Sequence, residues 1–152
     1  MIDKRFIGHA LEPFSVAVEP GRLRFFAKAT SQPDPVYTDE MAAQAAGHRG
    51  LPVPPTFLFC LEMDGPNPAA VRELLGLDYR FLLHGEQGFQ YHAMAYAGDV
   101  LTFAPRIENI WDKKGGALEF VARVTRVSNQ AGAHVADLRF VTVVRHPIGA
   151  SA

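Results

Sequence analysis

Several side chains in this sequence have the chemistry to move a proton. His84 and Glu86 stand two apart in an alternating stretch, so a regular strand would put both on one face, an imidazole beside a carboxylate. That is an acid/base pair in outline; lining an interface or satisfying a strand edge is the plainer reading. Asp99 follows Gly98 and reads first as a turn residue. His48 and Arg49 follow the helix stop at Gly47 and read as a solvated loop. Cys60 is the lone cysteine, inside Phe57-Leu58-Phe59-Cys60-Leu61, and reads as a small buried hydrophobe rather than a nucleophile. It leaves no intramolecular disulfide and no multi-cysteine metal motif. His92 and His134 have no neighbouring Cys or carboxylate at ligand spacing, so neither a metal site nor a cofactor is expected.

These residues must be held by a chain of 152 residues, one domain of ordinary size spanning 1–152. Apolar residues make up 48% and charged residues 20%, enough to bury a core. Fifteen Lys and Arg against sixteen Asp and Glu give a net charge of −1, with no basic stripe for nucleic acid or a membrane surface. Met1 to Arg5 lead into no apolar signal region, and no run reaches membrane-spanning length, so a cytoplasmic location is expected.

The front half reads as helices and loops. Phe14 to Val18 suits a short strand. Pro20 opens a helix whose Leu23, Phe26, Ala27 and Thr30 share one face. Two prolines make Ser31 to Pro35 a loop, and Thr38 or Asp39 caps a short helix that stops at Gly47. Thr56 to Met63 is apolar almost all round, as in a helix buried on most sides. Asn67 and Pro68 open a small helix ending at Gly76. The back half alternates apolar and polar residues in four stretches, a pattern for an antiparallel meander with turns at Lys114-Gly115-Gly116 and Asn129 to Gly132. Its polar face, with Arg106, Glu108, Arg123 and Arg139, suits a wet interface. The apolar face needs a cover, and the segment around Phe57 to Met63 supplies one.

The loop Thr30 to Asp39, followed by Ala43, resembles the hydratase-2 signature of the MaoC-like family. Pro35, Val36, Asp39 and Ala43 occupy matching positions, and Asp34 stands where the family has Asn. Gln32 stands for the catalytic Asp and Tyr37 for the catalytic His. Leu51 to Phe57 resembles the entry to the family's central helix. His84 to His92 and Ala97 to Leu101 resemble its first long strand and its Gly-Asp turn. Together, over roughly residues 13 to 145, they resemble the N-terminal MaoC-like, fatty-acid-synthase-type dehydratase subgroup.

The resemblance implies an α+β hot-dog fold, a curved antiparallel sheet around a central helix. It implies a thioester substrate, acyl-CoA or acyl-ACP, with Tyr37, Phe57, Gly98 and Asp99 near it, and leaves His48 and Arg49 as residues that could meet a CoA phosphate. The family adds water to a trans-2-enoyl thioester, which needs a carboxylate and an imidazole on one water and an N–H donor at the thioester oxygen. Gln32 takes no proton, and Tyr37 titrates near pH 10 in ordinary surroundings. The resemblance therefore implies a non-catalytic subunit, paired with itself or with a MaoC-like chain that carries the Asp and His. Two alternatives stay open: a stand-alone hot-dog hydratase or thioesterase using His84, Glu86 and Tyr37, and a non-enzymatic homodimer that binds acyl thioesters.

Overall fold

In a computed structural model the described residues are 1–146, so residues 147–152 of the expected domain lie outside the described part. Five strands form one antiparallel sheet: β1 (Phe14–Ala17), β2 (Leu82–Tyr91), β3 (Val100–Lys113), β4 (Leu118–Asn129) and β5 (His134–Arg145). Their order is β1-β3-β4-β5-β2. The meander expected from the alternation holds only for β3, β4 and β5. β2 leaves that run and pairs with β5, so among the described residues it is an edge strand at one side of the sheet, with β1 at the other. The turns lie where the glycines put them: Lys114, Gly115 and Gly116 take φ of 54°, 63° and 87° between β3 and β4.

Four short helices precede or interrupt the strands: α1 (Pro20–Ala29), α2 (Glu40–Ala45), α3 (Phe57–Glu62) and α4 (Ala70–Leu74). α1 buries Leu23 and Ala27 and half-buries Phe26, as the spacing predicts, but Thr30, expected on the same face, is exposed at the C-cap, where its hydroxyl donates to the Phe26 carbonyl. Asp39, rather than Thr38, caps α2 through the Ala42 N–H. α3 buries Phe57, Leu58 and Leu61 against Leu101, Phe103, Val127 and Leu138 of the sheet. The sheet thus curves around α3, as the family resemblance implies.

Each of the long strand pairings carries a bulge, and the bulges decide which residues face α3. The register shifts between His84 and Glu86, between Ile107 and Asn109, and between Val127 and Ser128. An extra residue in one strand sends the next side chain to the opposite face and deepens the twist. At Gly85 the device is enforced by space. A Cβ there would lie 2.8 Å from Val143 Cγ2 and 3.1 Å from the Val141 carbonyl oxygen, so only glycine fits without a shift.

Candidate functional site

The sheet face toward α3 is not sealed along its whole length. Beyond the end of α3, two cavities of about 560 Å³ and about 430 Å³ open between α3, α4 and the inner sheet face. The larger is lined by Phe59, Leu77, Leu83, Val121 and Phe140, with His84 at one wall. The smaller runs past Phe14, Val71 and Leu74. Met63, Pro68, Val71 and Arg123 border both, so the two spaces adjoin. An apolar cleft with few polar groups is the usual form of a small-molecule site.

A buried polar cluster lies where the cavities meet, and His9, Glu12, Asn67 and Glu73 add polar groups to the smaller one. Glu62, in the last turn of α3, is buried; its Oε1 accepts from the Thr125 hydroxyl, while its Oε2 lies 2.9 Å from the Arg123 guanidinium as an ion pair and has no hydrogen-bond partner among the described residues. Arg123 also lies over the Phe140 ring, 5.4 Å from its centroid. Its Nε is buried without a hydrogen-bond partner among the described residues. This placement corrects the reading of Arg123 as part of a wet outer face. It points inward, in the column of Val121 and Thr125, whereas Arg139 and Glu108 pair with each other at 2.8 Å on the outer face. Glu62 had a sequence signal, a carboxylate in an otherwise apolar helix; its partners, about sixty residues away in sequence, had none.

His84 and Glu86 do not share a face. His84 pairs in register with Thr142 and meets the Phe140 ring edge-on at 4.9 Å inside the cleft. Glu86, past the bulge, pairs with Val141 and binds Arg139 at 2.8 Å on the outer side. Period two across Gly85 is broken, and the expected same-face pair is broken with it.

Gln32 is exposed, and its Oε1 accepts the Asp34 N–H at 3.2 Å. Tyr37 is half-buried at the end of a single 3-10 turn, Pro35–Tyr37, that Asp34 caps. Neither lines the two cavities. Phe57 is in the core, edge-on to Phe26 at 5.0 Å, and does not line them either. At the N-terminal end of α3 the N–H groups of the cap residue Thr56 and of Phe57 are already engaged and offer no ready donor for a thioester oxygen. The Thr56 N–H donates to the Tyr91 hydroxyl at 2.9 Å, and the Phe57 N–H to the Pro54 carbonyl at 3.1 Å.

Gly98 and Asp99 form the turn before β3, Gly98 at φ 87°. Asp99 is buried. It accepts from the Tyr96 N–H at 2.8 Å, Gln130 at 3.0 Å and Arg49 at 2.5 Å. Burial by itself pushes its carboxyl up; the hydrogen bonds from Arg49, Gln130 and Tyr96 outweigh that and hold it below the usual range. Arg49 also lies over the Tyr96 ring and His48 approaches the Tyr96 hydroxyl at 3.4 Å, so both are tied to this turn rather than to an open loop. Burial raises the Cys60 thiol, and nearby Arg22 offsets this only in part, so Cys60 stays a thiol, as its apolar setting predicts.

The absence of a carboxylate near His92 and His134 does not hold in three dimensions. Asp137 lies 2.9 Å from His92 Nε2 and 3.1 Å from His134 Nε2. His134 and Asp137 stand three apart, a spacing already visible in the sequence; only His92, at the end of another strand, was hidden from it.

Residues 5–138 match the family described as FAS1-like, dehydratase domain region. The chain belongs to this family. Among the relatives of this FAS1-like dehydratase-region protein is the UPF0336 protein of Streptomyces avermitilis. It is 36% identical over 137 residues, which cover 88% of this chain and 89% of that one. The fold is that of the MaoC-like hot-dog proteins. A MaoC-like dehydratase superposes with a TM-score of 0.82 at 23% identity, over 92% of this chain and 42% of that one. A chain of the HadBC (3R-hydroxyacyl-ACP dehydratase) complex of Mycobacterium tuberculosis superposes at 0.76 and 23% identity, over 91% and 96%. No helix among the described residues of this FAS1-like protein is long and apolar enough to cross a membrane.

Proposed function

We propose that this protein is the acyl-thioester-binding, non-catalytic subunit of a heteromeric (R)-specific enoyl-thioester hydratase. The observation that carries the reading is the loss of both proton-transfer groups at Gln32 and Tyr37 in a chain that keeps the family's fold. The fallback pair gives no substitute, because His84 and Glu86 lie on opposite faces of the sheet.

The cleft supports the binding half of the proposal. Phe59, Leu83, Val121 and Phe140 line a space suited to an alkyl chain, and its burial is worth about 0.8 kcal/mol per CH₂. The edge position of β2 supports the pairing half, since a strand edge is a place for another chain to add. That the HadBC neighbour is a complex agrees with this arrangement.

The test is co-expression with a short MaoC-like chain from the same organism that carries the Asp/His motif. A stable complex that hydrates enoyl-CoA, against an inactive isolated subunit, supports the proposal. Robust turnover by the isolated protein, lost in His84→Ala, would promote the stand-alone reading. Thioester binding without any complex would leave the homodimer reading in its place.

A further inference from the structure

We propose that His92, His134 and Asp137 form a binding site for a divalent transition-metal ion of the zinc type. The site lies at one end of the sheet, apart from the cleft; none of the three residues lines either cavity.

The donor set is two imidazole nitrogens and a carboxylate, a combination that suits zinc and leaves a coordination position open. The geometry is already contracted. The nitrogen and oxygen donor atoms all fall within 4.8 Å of one another, with two contacts of 2.9 and 3.1 Å. Ligands held at ordinary zinc distances of about 2.0–2.2 Å on a tetrahedron stand roughly 3.3 Å apart, so small side-chain adjustments admit the ion.

The scaffold is rigid on both sides. His134 and Asp137 stand three apart on β5. His92 follows the last residue of β2, and its N–H donates to the Val135 carbonyl at 2.8 Å, which pins its backbone to β5. The ring centroids of the two histidines are 4.1 Å apart, inclined at 28°. Both rings therefore present Nε2 to the same carboxylate from one side.

Hydrogen bonding explains only half of this arrangement. His92 Nε2 and Asp137 are aligned as donor and acceptor. His134 Nε2 is sealed from solvent and, despite its closeness to Asp137, has no hydrogen-bond partner among the described residues. A buried ring nitrogen without a partner is costly, and a metal ion between the three groups satisfies it. His92 and Asp137 are each about one-third exposed, which gives the ion a path in and a water or outside ligand room to complete the shell.

Bound there, the ion clamps the free end of β2 to β5. The test uses the untagged full chain, stripped with a chelator and dialysed against micromolar zinc chloride. One zinc per chain by elemental analysis is expected, with visible d–d bands on cobalt substitution and a higher Tm with zinc than without. Asp137→Asn and His92→Ala keep the sheet core untouched. Each should lose the stoichiometric zinc, weakening binding by more than the roughly 10–100-fold typical of an outer-shell partner, and should lose the zinc-dependent rise in Tm. Substoichiometric zinc in the wild-type protein overturns the proposal. So does undiminished binding in both variants, which would place the metal on other histidines.

Discussion

At the scale of single residues, Gln32 and Tyr37 stand at the positions that resemble the family's proton-transfer pair. Gln32 spends its side-chain oxygen on the Asp34 N–H at the surface, and Tyr37 offers a phenol at the position that resembles the family's catalytic histidine. General acid–base groups contribute about 10²–10⁴-fold each, so the isolated protein should show only residual hydration of crotonyl-CoA. A spectrophotometric assay at the enoyl absorbance checks it. The Asp99 turn gives a second residue-scale prediction. Asp99→Asn should cost about 1–3 kcal/mol in chemical denaturation, because an amide nitrogen would face donors from Arg49, Gln130 and Tyr96. Its folded pKa lies below the unfolded value of about 3.9. Its contribution is therefore complete above that value and is lost as pH falls through the folded pKa. The difference in stability between wild type and Asp99→Asn should shrink on acidification below about pH 4, and a gap that widened would contradict the hydrogen-bond account.

At the scale of elements, the sequence was most legible where one periodicity ran uninterrupted. The faces of α1 (Thr30 apart) and α3, the cap at Asp39 and the turn at Lys114-Gly115-Gly116 all lie where composition and spacing put them. The readings failed where a bulge interrupts a strand, because period-two reasoning carries no information about an inserted residue. That is why His84 and Glu86 seemed to share a face, and Gly85 was the signal available for the break. Arg123 failed for a different reason: its inward direction is set by Glu62 and Thr125, contacts that no local pattern encodes. Two predictions belong here. Gly85→Ala should destabilise by about 1–3 kcal/mol, since Val143 and the Val141 carbonyl occupy the space of a Cβ. Glu62→Ala should cost about 3–5 kcal/mol, because it strands the largely buried Arg123 guanidinium. Thermal or urea unfolding of both variants measures these costs. A neutral Glu62→Ala would show that water reaches the pair.

At the scale of the whole molecule, the protein joins a hot-dog core to a cleft and to an edge strand, β2, whose outer side no other strand among the described residues pairs. The fold and family were readable from the order of short motifs. The cleft was not, because α4, the end of α3 and three separate strands build it together. Under the proposed function, such a domain holds an acyl chain and leaves the chemistry to a second subunit. The most direct measurement compares hydratase turnover of the purified protein alone, a MaoC-like Asp/His partner alone, and their co-purified complex, on short and long enoyl-CoAs. Val121→Trp, which fills the cleft, is assayed in the same complex. The account predicts no turnover by this protein alone, turnover by the complex, and a selective loss of the long substrates in Val121→Trp. Full activity of this protein alone, or a complex whose chain-length preference Val121→Trp leaves unchanged, would contradict it.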